Sequence, residues 1–216
     1  MKILCISDKI DPRIYSPNIK DRFADVDFIL SSGDLPLDYL DFIVSSLNKP
    51  LFFVFGNHHT EKMKHYKNNY YPVHEQEDVY LGCGAVHLGT RIKNEGKYII
   101  AGLGGSMRYN DGKNQFTDFQ MFIEITKLIP NLLWNRIFHG RYLDILLTHA
   151  PPKGIHDKND KCHRGFKSFL WFMKKFKPKF LVHGHIHLYD LSDVRLTKWE
   201  NTTVVNAYNH CIIDMN

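Results

Sequence analysis

Five short apolar runs in this 216-residue chain each lead into a loop that opens with a side chain able to bind a cation. Residues 2–6 precede Ser7-Asp8, residues 27–30 precede Gly33-Asp34, and residues 51–55 precede Gly56-Asn57-His58. Residues 143–147 precede Thr148-His149-Ala150-Pro151-Pro152, and residues 180–182 precede Gly184-His185-Ile186-His187. Runs this short and this rich in Ile, Leu, Val and Phe are strand-like. In an open α/β sheet the carboxyl ends of the strands share one crevice. Six or seven N and O donors would gather there, a mixed carboxylate, amide and imidazole set suited to Mn, Fe or Zn.

Each piece has an ordinary reading by itself. Gly33-Asp34 and Gly56-Asn57 are turn dipeptides, and a histidine such as His149 serves equally well as a satisfied core residue. Turn chemistry alone does not deliver five such ends in series. Two residues apart on an extended segment, His185 and His187 share a face, and His183 points the other way as a packed group. Gly184 removes a side chain where the backbone has to bend.

Helical spacing fills the gaps between the early strands. Leu37, Leu40, Ile43, Val44 and Leu47 lie on one side of a helix over residues 37–47. Ser16-Pro17 offers a cap and a first-turn proline for a short helix running toward Phe23. This βαβαβ order implies parallel pairing. Further on, residues 86–93 and 97–103 read as a hairpin about Asn94-Glu95-Gly96. Residues 117–129 read as a helix stopped by Pro130, and residues 165–176 as a helix ending before Pro178. Residues 194–199, 203–206 and 211–214 read as a closing antiparallel meander.

Composition narrows the function. A hydrophobic share of 44% supports a sizeable core, and no apolar run approaches the roughly 18 residues of a membrane span. Met1 leads directly into a strand-like segment, so no signal peptide and a cytoplasmic location are expected. The four cysteines lack paired spacing, which argues against a disulfide framework, and Cys5 inside a strand reads as a core residue. A net charge of +5 without a basic stripe permits an anionic substrate and makes nucleic acid an unfavoured partner.

The five motifs, in this order and over residues 3 to about 190, resemble the successive motifs of the calcineurin-like metallophosphoesterase superfamily. The stretch Gly102-Leu103-Gly104-Gly105-Ser106-Met107-Arg108-Tyr109-Asn110 is similar to a segment of its small bacterial members. The resemblance implies one metallophosphoesterase domain over residues 1–216, an α/β fold built as a four-layer αββα sandwich of two mixed sheets flanked by helices. It also implies two divalent metals, Mn first with Fe, Zn or Ni as alternatives, bridged by Asp34. Asp8 and His187 would hold the first metal, and Asn57, His149 and His185 the second. His58 would protonate the leaving oxygen or steady the phosphate. His59 and Arg108 are candidate substrate contacts. The remaining histidines (His65, His74, His87, His139, His156, His163 and His210) read as surface or loop residues.

One position departs from the family's pattern. Its first motif is Asp-x-His, and this chain has Asp8-Lys9-Ile10, so an aliphatic residue stands where a ligand belongs. A weak first metal follows from that loss. Asp11 is one residue out of register, and Asp11-Pro12 reads as a turn. The activity implied is metal-dependent hydrolysis of a small phosphoester, with diesters ahead of monoesters. The alternative is a weakly active or non-enzymatic scaffold on the same fold. Oligomeric state is not legible in the sequence.

Overall fold

In the computed structural model, which describes residues 1–58, 84–190 and 192–215, the apolar strand runs are buried on both faces. β1 (Lys2–Ser7), β2 (Phe28–Ser31), β3 (Leu51–Phe53) and β4 (Val86–His87) pair in parallel and in sequence. Along β1, Ile3 and Cys5 point between two sheets, while Leu4 and Ile6 point outward beneath helices. Phe28 and Leu30 of β2 repeat the inward set, and Ile29 the outward one. A strand with helix on one side and sheet on the other has no face for water, which explains its unbroken hydrophobicity.

The second sheet contains β5 (Arg91–Glu95), β6 (Tyr98–Leu103), β9 (Ile145–Thr148), β10 (Phe180–His183), β11 (Leu196–Trp199) and β12 (Thr202–Asn206). Their order is β11-β12-β10-β9-β6-β5, with β6, β9, β10 and β12 parallel. Ile145, Leu147 and Val182 face the first sheet, and Leu146 and Leu181 face the outer helices. A short parallel pair, β7 (Ser106–Met107) with β8 (Gln115–Phe116), caps one end. α1 (Ile19–Phe23) and α2 (Leu37–Leu47) cover the first sheet, and α3 (Asp118–His139) and α4 (Lys167–Phe176) cover the second. Two mixed sheets between helical layers is the αββα arrangement the resemblance implied.

Four local expectations are corrected. α1 begins at Ile19, because Ser16 Oγ accepts from the Asn18 amide at 3.3 Å and closes a turn before any helix starts. Residues 86–93 are not one strand: β4 joins the first sheet and β5 the second, and the β5–β6 turn falls at Gly96-Lys97. The closing segments are not one meander, since β13 (Asn209–Asp214) leaves β12 to pair antiparallel with β1. Finally, α3 runs through Pro130 to His139. Pro130 is exposed, and the buried stripe Met121, Ile125, Leu128, Leu132 continues beneath it. That burial offsets the roughly 3 kcal/mol an interior proline costs. A Thr117–Gln120 capping box fixes the start of α3, and Gly140 at φ 71° ends it.

Candidate metal centre

All five strand ends open on the same edge of the sandwich, the first sheet contributing Asp8, Asp34 and Asn57 and the second His149, His185 and His187. The sheets are joined there through the ligand loops. The His185 amide donates to Asp8 Oδ2 at 2.9 Å, and the Gly184 amide donates to the His149 carbonyl at 2.9 Å. Gly184 is required for space and not for a bend: its φ is not positive, and a Cβ there would overlap Ser7 Oγ and Asp8 Oδ2. Three of the loop side chains sit on left-handed backbone, Asp8 at φ 63°, Asp34 at 54° and His185 at 65°. Such positions cost a non-glycine residue on the order of 1 kcal/mol each.

Two of the three imidazoles, His149 and His185, are held by a main-chain carbonyl through the other nitrogen. His149 Nδ1 donates to the Ser32 carbonyl at 2.8 Å, which turns Nε2 toward Asn57 Oδ1 at 3.0 Å and Asp34 Oδ2 at 3.3 Å. His185 Nε2 donates to the Cys162 carbonyl at 2.7 Å, leaving Nδ1 for the site. Fixing the tautomer in this way is what metal-binding histidines require of their surroundings. Asn57 Nδ2 donates to the Tyr109 hydroxyl at 3.1 Å, so its carbonyl oxygen is the atom turned inward. One ligand atom each from buried Asp34, His149 and His185 lie within 4.8 Å of one another. This buried set of one carboxylate and two imidazoles fits a divalent metal.

Asp8 and His187 stand outside that compact set. His187 Nε2 lies 3.8 Å from Asp8 Oδ1, its ring stacked on Tyr208 at 4.7 Å and its Nδ1 bonded to the Tyr189 hydroxyl at 2.7 Å. Asp8 is almost fully buried, while His187 is 39% exposed. Ile10 is also 39% exposed and offers no donor. Asp11 does not substitute for the missing histidine. It accepts from the Arg13 amide at 2.8 Å and pairs with His210, closing the turn read from the sequence.

The electrostatics of the metal-free pocket follow from one pair. Burial alone would lower the His149 pKa, but the Asp34 carboxylate beside it, with Asp8 behind, raises it to about 9. Burial would raise Asp34, yet His149 and the His58 amide hold it at about 2. His185 moves the other way: burial and then the charge of His149 lower it to about 4, so it is already neutral. The His149 proton must leave before Nε2 can bind a cation. Metal affinity at this position should therefore rise about tenfold per pH unit from about pH 6.5 to 9. Calorimetry in buffers of different ionisation enthalpy should register close to one proton released per metal at pH 7.5, and none well above pH 9. The same raised pKa stabilises the metal-free fold below about pH 6.5, and that contribution fades as pH climbs through 9.

His58 lies at the open edge of this set. Its amide donates to Asp34 Oδ1 at 2.8 Å and its side chain is exposed. His59, with His65 and His74, falls outside the described residues. Arg108 is not drawn into the ligand set; its guanidinium is tethered to Gln120 Oε1 at 3.1 Å. His139 is exposed, as expected. His87, part-buried between the Phe53 and Phe55 rings, and His210, bonded to Asp11, are not surface residues. His163 bonds Asp160 beside the site.

His156 is likewise not a loop bystander. The Thr197 hydroxyl donates to its Nε2 at 2.8 Å, and its Nδ1 donates to His183 Nε2 at 2.9 Å. His183 Nδ1 then donates to the Gly184 carbonyl at 2.9 Å, ahead of the ligand His185. Both rings in this chain are neutral, since burial lowers their pKa values to about 4 and about 3. Sequence reasoning also missed Tyr109 and the Ser32 and Cys162 carbonyls. The similarity noted for residues 102–110 was a signal for Tyr109, but main-chain carbonyls leave none.

Comparison with curated proteins returned no match. Among solved structures, one aligns with a TM-score of 0.65 at 14% identity, covering 99% of this chain and 94% of its own. The protein TT1561 of Thermus thermophilus aligns with a TM-score of 0.63 at 12% identity, covering 96% of this chain and 89% of that one. GAP50, the anchor in the inner membrane complex of Plasmodium, aligns at 0.51 and 11% identity, over 95% of this chain and 70% of its own. At such identities the likeness is one of fold. Residues 1–189 match the family model for calcineurin-like phosphoesterase, and they include every candidate ligand. The chain belongs to the calcineurin-like phosphoesterase family.

Proposed function

We propose that this protein is a metal-dependent phosphoesterase that hydrolyses small phosphoesters, phosphodiesters foremost, and that it works with Mn²⁺ or a similar divalent ion. The observation that carries the reading is the buried set of Asp34, Asn57, His149 and His185, with both imidazole tautomers fixed and His58 at its open edge. When bound, divalent ions neutralise phosphate charge and lower the pKa of a water molecule that can attack phosphorus. The chain's own residues would do the rest. Asn57 contributes a neutral oxygen, which leaves the site net positive for an anion. Asp34, held ionised, would supply negative charge to offset the repulsion between two bound cations. His58 would hand a proton to the departing alkoxide, a task suited to an imidazole near neutral pH. Among the described residues no helix is long and apolar enough to cross a membrane.

The test is turnover of bis(p-nitrophenyl) phosphate with added Mn²⁺, in wild type and in Asn57→Ala. Hydrolysis that depends on Mn²⁺ and is strongly impaired in the variant supports the reading. Equal rates in both would remove Asn57 from the site.

The first metal position is proposed to be weak, because Asp8 and His187 stand apart from the compact set and Ile10 cannot ligate. Ile10→His should restore a donor and tighten that position by about 10–100-fold. Stoichiometric metal titration reads this as a second tight site, and identical isotherms for the two proteins would contradict it. A weakly active scaffold on the same fold is the competing reading, and Ile10 is the feature that favours it.

A further inference from the structure

Two hydrogen bonds at the rim of the candidate metal centre lead into one large cleft. Tyr109, which accepts from Asn57, lies on one wall. Cys162, which accepts from His185, lies in the loop between Lys161 and Arg164 on the other. The cleft has a volume of about 980 Å³, far more than one phosphate fills and the size of a site for an organic ligand. Tyr109 lines it and hydrogen-bonds Asn57, so the cleft is one residue removed from the candidate ligands.

Its charge is unbalanced. Arg108, Lys153, Lys161, Arg164 and Lys167 line it, against Asp111 and Asp118. Lys153 is neutralised by Asp157 at 2.8 Å, and Asp118 is occupied by the Ser168 amide and hydroxyl at 3.1 and 3.3 Å. Lys161, Arg164 and Lys167 have no carboxylate within ion-pair distance among the described residues, and all three are exposed into a concave surface. Like charges held in a concavity raise the local potential and favour a polyanion. A guanidinium beside two ammonium groups suits a phosphate dianion better than a single carboxylate. Met107 and Tyr109 add an apolar wall for the organic part of a ligand.

We propose that this cleft binds a second phosphate group of the substrate. The substrate class is then an organic phosphoester that carries another phosphate away from the scissile bond. The proposal rests on the phosphoesterase reading for the word substrate, while the binding itself does not depend on turnover. Lys161 and Arg164 are the specificity-determining residues, and Lys167 adds charge behind them.

Calorimetric titration of the purified protein with adenosine 3′,5′-bisphosphate and, separately, adenosine 5′-monophosphate tests it. Wild type should bind the bisphosphate at least about tenfold more tightly, the scale of one charge-assisted contact. In Lys161→Gln/Arg164→Gln, an exposed double change that leaves the Cys162 carbonyl in place, the ratio should fall toward one. An equal affinity for both nucleotides in wild type, or a ratio unchanged in the variant, overturns the proposal. So does tighter binding of a short oligothymidylate than of the bisphosphate, which would make the cleft a nucleic-acid track. Turnover of bis(p-nitrophenyl) phosphate in the same samples separates the two readings. A binding ratio that holds without turnover sinks the phosphoesterase reading and keeps the cleft. Turnover with no binding preference does the reverse.

Discussion

His58→Ala should lower kcat by about 10²–10⁴-fold, the range for losing a positioned general acid. Metal stoichiometry should stay at the wild-type value. Among the described residues, the hydrogen bond between His58 and a candidate ligand runs from its amide to Asp34 Oδ1, and alanine keeps that amide. The side chain is exposed at the open edge, so its removal leaves no cavity. Fold stability should therefore change by less than about 0.5 kcal/mol. Unchanged turnover at full metal occupancy would strip His58 of its assigned role. Loss of metal alongside activity would recast it as a ligand.

Gly56→Ala should be as damaging by a different route. A Cβ at residue 56 would overlap Asp34 Oδ1 and come within 2.5 Å of the Asp34 Cγ and His149 Cε1 atoms. The backbone there is not left-handed, so alanine meets no conformational objection and the whole effect is steric. Asn114 pins the loop by donating to the Phe55 and Gly56 carbonyls at 3.0 and 2.8 Å, which denies it a path to retreat. The Asp34 carboxylate or the His149 ring must move instead. We expect metal affinity to fall by at least about 100-fold, and the fold to lose about 1–3 kcal/mol from overpacking. Thermal melts with and without Mn²⁺ check both at once. The metal-induced rise in Tm should vanish while a cooperative transition remains. A variant that still gains stability from Mn²⁺ as wild type does would mean that the ligands do not occupy these positions when loaded.

The alternation of short apolar runs with α2 and its Leu40, Ile43 and Leu47 stripe made the parallel half of the first sheet legible, and Leu37–Leu47 is bounded as its periodicity predicts. The convergence of Asp34, Asn57, His149 and His185 was legible for the same reason: a donor just past a buried strand has nowhere to go but the crevice. What escaped the sequence is non-local. Nothing within residues 86–93 says that two of them join one sheet and three the other. Nothing in Asn209–Asp214 marks β1 as its partner. Pro130 misled because a local rule about helix ends met a tertiary surface that favoured continuing. The chain from Thr197 through His156 and His183 could not be read either, since its members are 27 and 41 residues apart in sequence. Histidines look alike in a string of letters, and only packing separates a ligand from a brace.

The left-handed backbone at Asp8, Asp34 and His185 divides the loops into two kinds of position. At these three places glycine would relieve the chain, and each is occupied instead by a side chain that works against its own main chain. Glycine at any of them would therefore relax a loop and remove a donor in the same step. Ile10 is not among the left-handed residues, so a donor placed there would meet no such backbone objection.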